Sequence, residues 1–93
     1  MSDTVVNLRD FRGQPLPPDV IRICRPGPYG NPYSISKNCS RECVIELFRG
    51  WAESQLRRDP EWLEPLRGKR LACWCAPLPC HGDVIVELLE RRP

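Results

Sequence analysis

The sequence lacks the features that mark membrane and secreted proteins. No run of about 18 apolar residues occurs anywhere in the chain, so we expect neither a membrane-spanning helix nor a membrane partner. The N-terminal segment MSDTVVNLRDFRGQ has no basic stretch followed by an apolar stretch, which is the pattern of a secretion signal. We therefore expect a cytoplasmic protein.

A strong charge of either sign is also lacking. The formal net charge of +2 falls short of the strongly basic character of dedicated nucleic-acid-binding proteins. Lysine is scarce, because twelve of the fourteen cationic residues are arginine. A planar guanidinium suits paired recognition of phosphate or carboxylate, although a GC-rich genome produces the same bias. The charge of the chain therefore does not by itself indicate a binding partner.

The remaining composition is that of a small globular domain. Hydrophobic residues make up 41% and charged residues 28% of the 93 residues, which is too apolar for general disorder. A chain of this length builds one core and buries about 60 to 65% of its unfolded surface. We expect a single domain over residues 1–93, in which residues 1–18 form an N-terminal strand and a proline-rich loop.

Cysteine, by contrast, is abundant, with six residues. In a cytoplasmic protein cysteines are more often reduced thiols or metal ligands than disulfides, so we expect most of the six to be free. Cys24 is expected to end a strand. Cys39 and Cys43 lie four residues apart near a predicted helix start, where they would pack as small hydrophobic residues or join a second metal site.

Proline punctuates the chain and divides it into short elements. Eleven prolines, about twice the usual share, fall in clusters. Between these clusters, VVNLRDF, DVIRIC and KRLACWC are typical of strands, whereas SRECVIELFRGWAESQLRRD and DVIVELLERR are typical of helices. This order predicts a small α/β domain that contains a short sheet of two to four strands, two main helices and a right-handed βαβ crossover.

The spacing of apolar residues predicts which faces are buried. Ser40 is expected to cap the first helix and Asp83 the second. The buried stripe of the first helix is expected to contain Val44, Leu47, Phe48 and Trp51. The apolar face of the second helix is expected to contain Val84, Ile85, Leu88 and Leu89. Alternation in the third strand places Ala72 and Trp74 on the face opposite Leu71, Cys73 and Cys75.

Two loops carry residue types suited to chemistry, and the first is RICRPGPYGNPYSI over residues 22–35. Its prolines fix φ and its glycines widen the allowed conformations, so we expect a bent and rigid loop. Backbone amides near Gly30, together with Arg25, Tyr29 and Asn31, suit an oxyanion or a flat ring. The segment matches neither the phosphate-binding P-loop nor the dinucleotide fingerprint, and taken alone it fits a purely structural turn better than a binding site.

The second loop, CWCAPLPCHGD over residues 73–83, admits a metal site. Three thiolates and one imidazole, from Cys73, Cys75, Cys80 and His81, are a complete tetrahedral zinc set. The spacing differs from that of the common paired C-x2-C knuckles.

The same loop also admits three roles without a metal. Cys80 and His81 precede the second helix, whose free amides favour a thiolate, so Cys80, His81 and Asp83 would form a catalytic group. In the second role the loop is a non-covalent ligand site, and in the third it is a cysteine-lined corner of the core.

Taken together, RPGPYGNPY and LACWCAPLPCHGDVIVELL resemble the uncharacterised family catalogued as domain of unknown function 4326, which occurs in bacteria, archaea and phages. Members carry a similar G-x-P-x-G-N-P segment, a helix of comparable length, and then C-W-C and C-H-G-D-V. The likeness covers residues 19–91. The resemblance implies that the two loops belong to one unit, near the strand ends where open α/β sheets place ligands, but it implies no reaction.

These observations lead to a main hypothesis and one alternative. The main hypothesis is a phage or bacterial domain whose two loops form a polar site for a phosphate-bearing ligand, either a nucleotide or a nucleic-acid end. Its ligand-binding residues would be Arg25, Tyr29, Gly30 and Asn31. The pattern does not distinguish binding from catalysis. The alternative is a non-enzymatic interaction module that holds a structural zinc ion and uses its arginine-rich surface to contact a protein or nucleic acid.

Overall fold

A computed structural model describes residues 4–25, 27–75 and 78–91. Three strands and two helices make up its main elements. The strands are β1 (Val5–Asn7), β2 (Val20–Arg22) and β3 (Arg70–Cys73). The helices are α1 (Arg41–Arg58) and α2 (His81–Glu90), and short 3₁₀ turns cover Leu8–Phe11 and Glu64–Leu66. The domain is therefore a small α/β unit, as the sequence predicts.

The strands form a parallel sheet in the order β1-β3-β2. Leu71 in the central strand aligns with Val5 on one side and Ile21 on the other. Because all three strands run in the same direction, the carboxyl ends of β2 and β3 lie next to each other. The two loops identified from the sequence begin at these ends. The chain passes from β2 through α1 to β3, and the right-handed sense of this crossover stays a prediction.

Alternation along β3 divides the core between the two faces of the sheet. Leu71 and Cys73 pack with the helices in the main cluster, whereas Ala72 packs with Leu8 and Val20 on the other face. These facings are as predicted. The strand ends at Cys73, so Trp74 lies outside it with 54% of its surface exposed.

Helix α1 begins as predicted and buries part of the predicted stripe. The Ser40 side chain accepts a hydrogen bond from the Cys43 amide at 3.2 Å. The buried residues recur every four positions and are Val44, Phe48, Ala52 and Leu56. The prediction for Leu47 is wrong, because this side chain is 44% exposed. The buried row follows a spacing of four, which leaves position 47 to one side of it. Trp51, also predicted for the stripe, is partly buried and packs against the main core cluster.

The N-cap of helix α2 lies three residues earlier than predicted. Its N-cap is Cys80, so the assignment of the cap to Asp83 is wrong. The Cys80 thiol accepts a hydrogen bond from the Gly82 amide at 3.3 Å, and the Asp83 carboxylate accepts one from the Cys80 amide at 3.0 Å. This reciprocal pattern is a capping box with cysteine as its first residue. The predicted apolar face is confirmed, since Val84, Ile85, Leu88 and Leu89 are all buried.

The cysteines divide into one disulfide-bonded pair and four thiols. Cys39 and Cys43 form a disulfide at the start of α1, so neither role predicted for this pair is correct. Cys24, Cys73, Cys75 and Cys80 form no disulfide, which agrees with the expectation that most of the six cysteines are thiols. A disulfide was unexpected because the spacing of four also fits two helical neighbours on one face.

The two helices pack against each other and share ion pairs. Arg49 of α1 pairs with Glu87 of α2, and Arg91 at the end of α2 pairs with Glu53 of α1. Within the described residues, no helix combines the length and apolar character needed to cross a bilayer.

Candidate functional site

A cleft of about 570 Å³ lies where the two loops meet beyond the ends of β2 and β3. The first loop contributes Arg25 and Asn31 to its walls, and the second contributes Trp74 and the residues around it. Helix α1 contributes Arg41 from its first turn. Parallel strand ends of an α/β sheet are a common place for ligands.

Hydrogen bonds fix the first loop to its surroundings. The Asn31 side-chain amide donates to the Val44 carbonyl of α1 at 3.1 Å, and its oxygen accepts from the Tyr33 amide at 2.9 Å. The Arg25 guanidinium donates to the Ser34 hydroxyl at 2.8 Å. Asn31 therefore connects the loop to α1, and both the nitrogen and the oxygen of its side-chain amide already have hydrogen-bond partners.

Tyr29 and Gly30 stabilise the first loop through contacts within the protein, and neither lines the cleft. The Tyr29 hydroxyl donates to the Trp62 carbonyl at 3.2 Å, and the two rings lie 5.6 Å apart. Burial raises the pKa of the Tyr29 phenol. Gly30 is buried, and a Cβ atom there would lie 2.9 Å from both the Cα and the amide nitrogen of Arg25. Close backbone approach therefore requires glycine at this position.

The arginine and carboxylate side chains among the described lining residues of the cleft are all of one sign. Arg25 and Arg41 line it, and no carboxylate occurs among its described lining residues. Arg41 donates to the Pro79 carbonyl at 3.2 Å, which joins α1 to the second loop. Neither arginine forms an ion pair with a carboxylate in the described part of the chain. The cleft therefore offers positive charge to a ligand.

Three thiols meet in the wall of the cleft. The sulfur atoms of Cys73, Cys75 and Cys80 all lie within 4.8 Å of one another, and those of Cys73 and Cys80 are 3.3 Å apart. The hydrogen bond with Cys73, together with burial, holds the pKa of the Cys80 thiol above its usual range. Without a metal, Cys80 is therefore a neutral thiol and a poor nucleophile. With a metal, the three thiols could act as thiolate ligands.

His81 is only 8% exposed and makes contacts toward the core, although it also lines the cleft. Its Nε2 atom lies 2.8 Å from the Ile23 carbonyl oxygen, and its ring meets the Phe48 ring edge-on at 5.0 Å. Because a carbonyl oxygen can only accept, Nε2 carries the proton and donates. His81 is not part of the group formed by the three thiols. Of the four metal ligands considered from the sequence, the structure groups the three cysteines alone.

The predicted site residues thus divide into two groups. Those that line the cleft are Arg25, Asn31, Cys73, Cys75, Cys80 and His81, whereas Tyr29, Gly30 and Asp83 do not line it. The Asp83 carboxylate caps α2 instead. The sequence reasoning missed Arg41 and Trp74. A signal existed for Arg41, because a cation at the first position of a helix opposes the helix dipole and suggests another role.

Comparisons with known proteins bear on nearly the whole chain. The family described as Domain of unknown function (DUF4326) matches residues 6–91, which include both loops. A protein of Enterobacteria phage T4, described as "Uncharacterized 12.4 kDa protein in nrdA-td intergenic region", is 47% identical over 58 residues. That alignment covers 56% of this chain and 51% of the phage protein.

The chain thus spans about half the length of this phage relative. No solved structure matches the chain. The family match extends well beyond the two loops, over both helices, β2, β3 and all but the first residue of β1. The chain therefore belongs to the family of domain of unknown function 4326.

Proposed function

We propose that the cleft binds a phosphate-bearing ligand with a flat ring, such as a nucleotide or a nucleic-acid end. The observation that carries this proposal is the pair of arginines in a cleft whose described lining contains no carboxylate. Guanidinium groups form strong, charge-assisted hydrogen bonds with phosphate oxygens. Because no carboxylate competes among the described lining residues, the guanidinium donors that are not bonded to Ser34 or the Pro79 carbonyl are available to an anion.

Aromatic side chains beside the arginines support the flat ring. Trp74 and Tyr33 line the same cleft and are 54% and 37% exposed. Exposed rings of this kind stack on nucleobases without requiring a particular base. The ligand class therefore combines a phosphate for Arg25 and Arg41 with a base for one of the rings.

The proposal concerns binding and assigns no reaction. Cys80 and His81, which the sequence suggested as catalytic residues, are both engaged with buried partners. Asp83 caps the helix and does not line the cleft. The family and the phage relative are both uncharacterised, so neither supplies a reaction.

The three-thiol cluster favours a second candidate function. Sulfur atoms within 4.8 Å of one another are close enough to share one ion. In this second candidate, zinc stabilises a non-enzymatic interaction module whose surface contacts a protein or nucleic acid. The two candidates make different demands, because the first needs Arg25 and Arg41 whereas the second needs the thiols.

A binding experiment tests the first candidate. Isothermal titration calorimetry with ATP, AMP, inorganic phosphate and a short 5′-phosphorylated oligonucleotide would be performed on wild type, Arg41→Gln and Arg57→Gln. Arg57 is an exposed arginine of the same helix outside the cleft, so its variant matches the charge change. We expect Arg41→Gln to weaken binding of the phosphate-bearing compounds about tenfold, as for loss of a charge-assisted hydrogen bond.

The control variant should bind like wild type. If both variants weakened binding equally, the effect would be explained by net charge alone, and a specific site in the cleft would be contradicted. Absence of binding by every compound at millimolar concentration would overturn the proposal.

A further inference from the structure

We infer that Cys73, Cys75 and Cys80 bind one zinc ion through three thiolates, and that the fourth coordination position opens into the cleft. The inference rests on the metal of the second candidate function, but it differs from that candidate in one respect. A structural zinc ion has four protein ligands, whereas this ion would have three and would accept an external ligand.

The sulfur positions suit a tetrahedral ion. Zinc–sulfur bonds of about 2.3 Å in tetrahedral geometry place the sulfur atoms about 3.8 Å apart. The cluster spans this value, with 3.3 Å between Cys73 and Cys80 and no pair beyond 4.8 Å. Cys73 ends β3 and Cys80 caps α2, so two of the ligands are held by regular elements. Movements of less than about 1 Å would complete the three bonds.

The fourth protein ligand expected from the sequence is engaged elsewhere. His81 donates from Nε2 to the Ile23 carbonyl and packs on Phe48. Recruiting Nε2 to the ion would leave a buried carbonyl without its partner, which is costly. The other ring nitrogen, Nδ1, does not join the group of three sulfur atoms either. Cys24 lines the cleft too, but it packs with the cluster on the opposite face of the sheet. Among the described residues, no fourth His, Cys, Asp or Glu joins the group of three thiols.

The open position faces the cleft because all three thiol ligands line it. The charge balance of the cleft agrees with this arrangement. Zn²⁺ with three thiolates carries a net charge of −1, and the cleft supplies Arg25 and Arg41 but no described carboxylate. The arginines therefore offset the charge of the occupied centre. A small nitrogen or sulfur donor is the class of ligand that a thiolate-bound zinc ion accepts at such a position.

Cobalt substitution tests the inference directly. Tag-free wild-type protein, kept reduced with a phosphine, would be titrated with Co²⁺ while its absorption spectrum is recorded. We expect one equivalent to bind with thiolate-to-cobalt charge-transfer bands, because Co²⁺ takes the zinc ligands with the same geometry. Imidazole should then change the visible d–d bands in a saturable way, since it enters the fourth position.

Three variants assign the ligands. Cys75→Ser changes the most exposed of the three thiols and should weaken cobalt binding more than about 100-fold, above the loss typical of a supporting residue. Cys24→Ser is the matched control from the same cleft and should bind cobalt like wild type. His81→Gln should also retain the ion and the response to imidazole.

Each contrary outcome has a distinct meaning. Failure of wild type to bind Co²⁺ or Zn²⁺ would overturn both the metal candidate and this inference. A bound ion that does not respond to imidazole and is lost in His81→Gln would overturn the open position while retaining a structural metal. If His81→Gln does not fold, the wild-type imidazole titration alone decides, because a four-ligand centre leaves the d–d bands unchanged. Nucleotide binding by metal-free protein is measured separately and stands or falls independently.

Discussion

At the scale of single residues, two positions of the first loop stabilise the protein beside the cleft, and one of them, Asn31, also lines it. Gly30 and Asn31 both belong to the loop motif, and each acts on the protein itself. Asn31 joins the loop to the Val44 carbonyl, and Gly30 allows the chain to pass against the backbone of Arg25. Their substitution would therefore affect folding before it affects ligand contacts.

A pair of glycine variants separates steric contact from helix propensity. A methyl group at Gly30 would meet backbone atoms that cannot move aside, so Gly30→Ala should lower the free energy of unfolding by about 1 to 3 kcal/mol. Gly50 lies in the exposed middle of α1 with nothing within 4 Å of an added Cβ. Gly50→Ala should therefore raise stability by about 0.5 to 1 kcal/mol. Urea denaturation measures both, and equal effects of the same sign would contradict the assignment.

His81 is the residue whose expected role changes most between sequence and structure. His81→Ala should lower the free energy of unfolding by about 2 to 4 kcal/mol, because it removes both the Ile23 hydrogen bond and the contact with Phe48. His81→Gln keeps a donor near the same carbonyl and should lose less. Chemical denaturation of both variants in the presence of a chelator provides the measurement. Unchanged stability of His81→Ala would show that the side chain points into the cleft and not into the core.

At the scale of elements, local sequence rules predicted which helices and strands exist. They were less successful in predicting which face of a helix is buried and at which residue it begins. Ser40 caps α1 as expected, because its hydroxyl accepts a hydrogen bond from the Cys43 amide, which has no carbonyl partner within the helix. The start of α2 was misplaced because cysteine is an unusual cap, and the carboxylate of Asp83 acts from three residues inside the helix. Leu47 was misassigned because a spacing of three and a spacing of four both fit an amphipathic helix.

Adjacent positions in α1 test the corrected stripe. Leu47 is exposed, so Leu47→Ala should change the free energy of unfolding by no more than about 0.5 kcal/mol. Phe48 is fully buried between α1 and the sheet, and Phe48→Ala should cost about 3 to 5 kcal/mol. Thermal and urea unfolding of the two variants give the comparison. A large loss of unfolding free energy in Leu47→Ala would show that the buried face of α1 includes Leu47, as predicted from the sequence.

The candidate site could be predicted from the sequence only in part. The order of the elements fixes where the loops lie, but it does not fix how their side chains are oriented. Two loops that follow adjacent parallel strands must lie together, and this placed the cleft. The orientation of each side chain depends on partners far along the chain. Tyr29 turns toward Trp62, 33 residues away, and His81 turns toward Ile23, 58 residues away. No local pattern contains these partners.

At the scale of the whole molecule, a cleft and a small core compete for the same residues. Cys73 and Cys80 belong to the main buried cluster and also line the cleft. A domain of this size has few residues to spare for such double use, and its stability is a few kcal/mol. An ion held by the ends of β3 and α2 would tie these two elements together through the second loop.

Metal loading should therefore change the stability of the entire domain. An ion that binds only the folded state at a free concentration 100 times its dissociation constant adds about 2.7 kcal/mol to the free energy of unfolding. For a domain of this length that corresponds to a rise in the unfolding midpoint of roughly 10 to 20 °C. Calorimetric scans of reduced protein with Zn²⁺, and after removal of the ion by a chelator, should show this rise and its reversal. Cys75→Ser should unfold at the same temperature with and without zinc, because two thiolates alone do not hold the ion, whereas Cys24→Ser should respond like wild type. A wild-type midpoint that does not change with zinc would show that the three thiols are only part of the core.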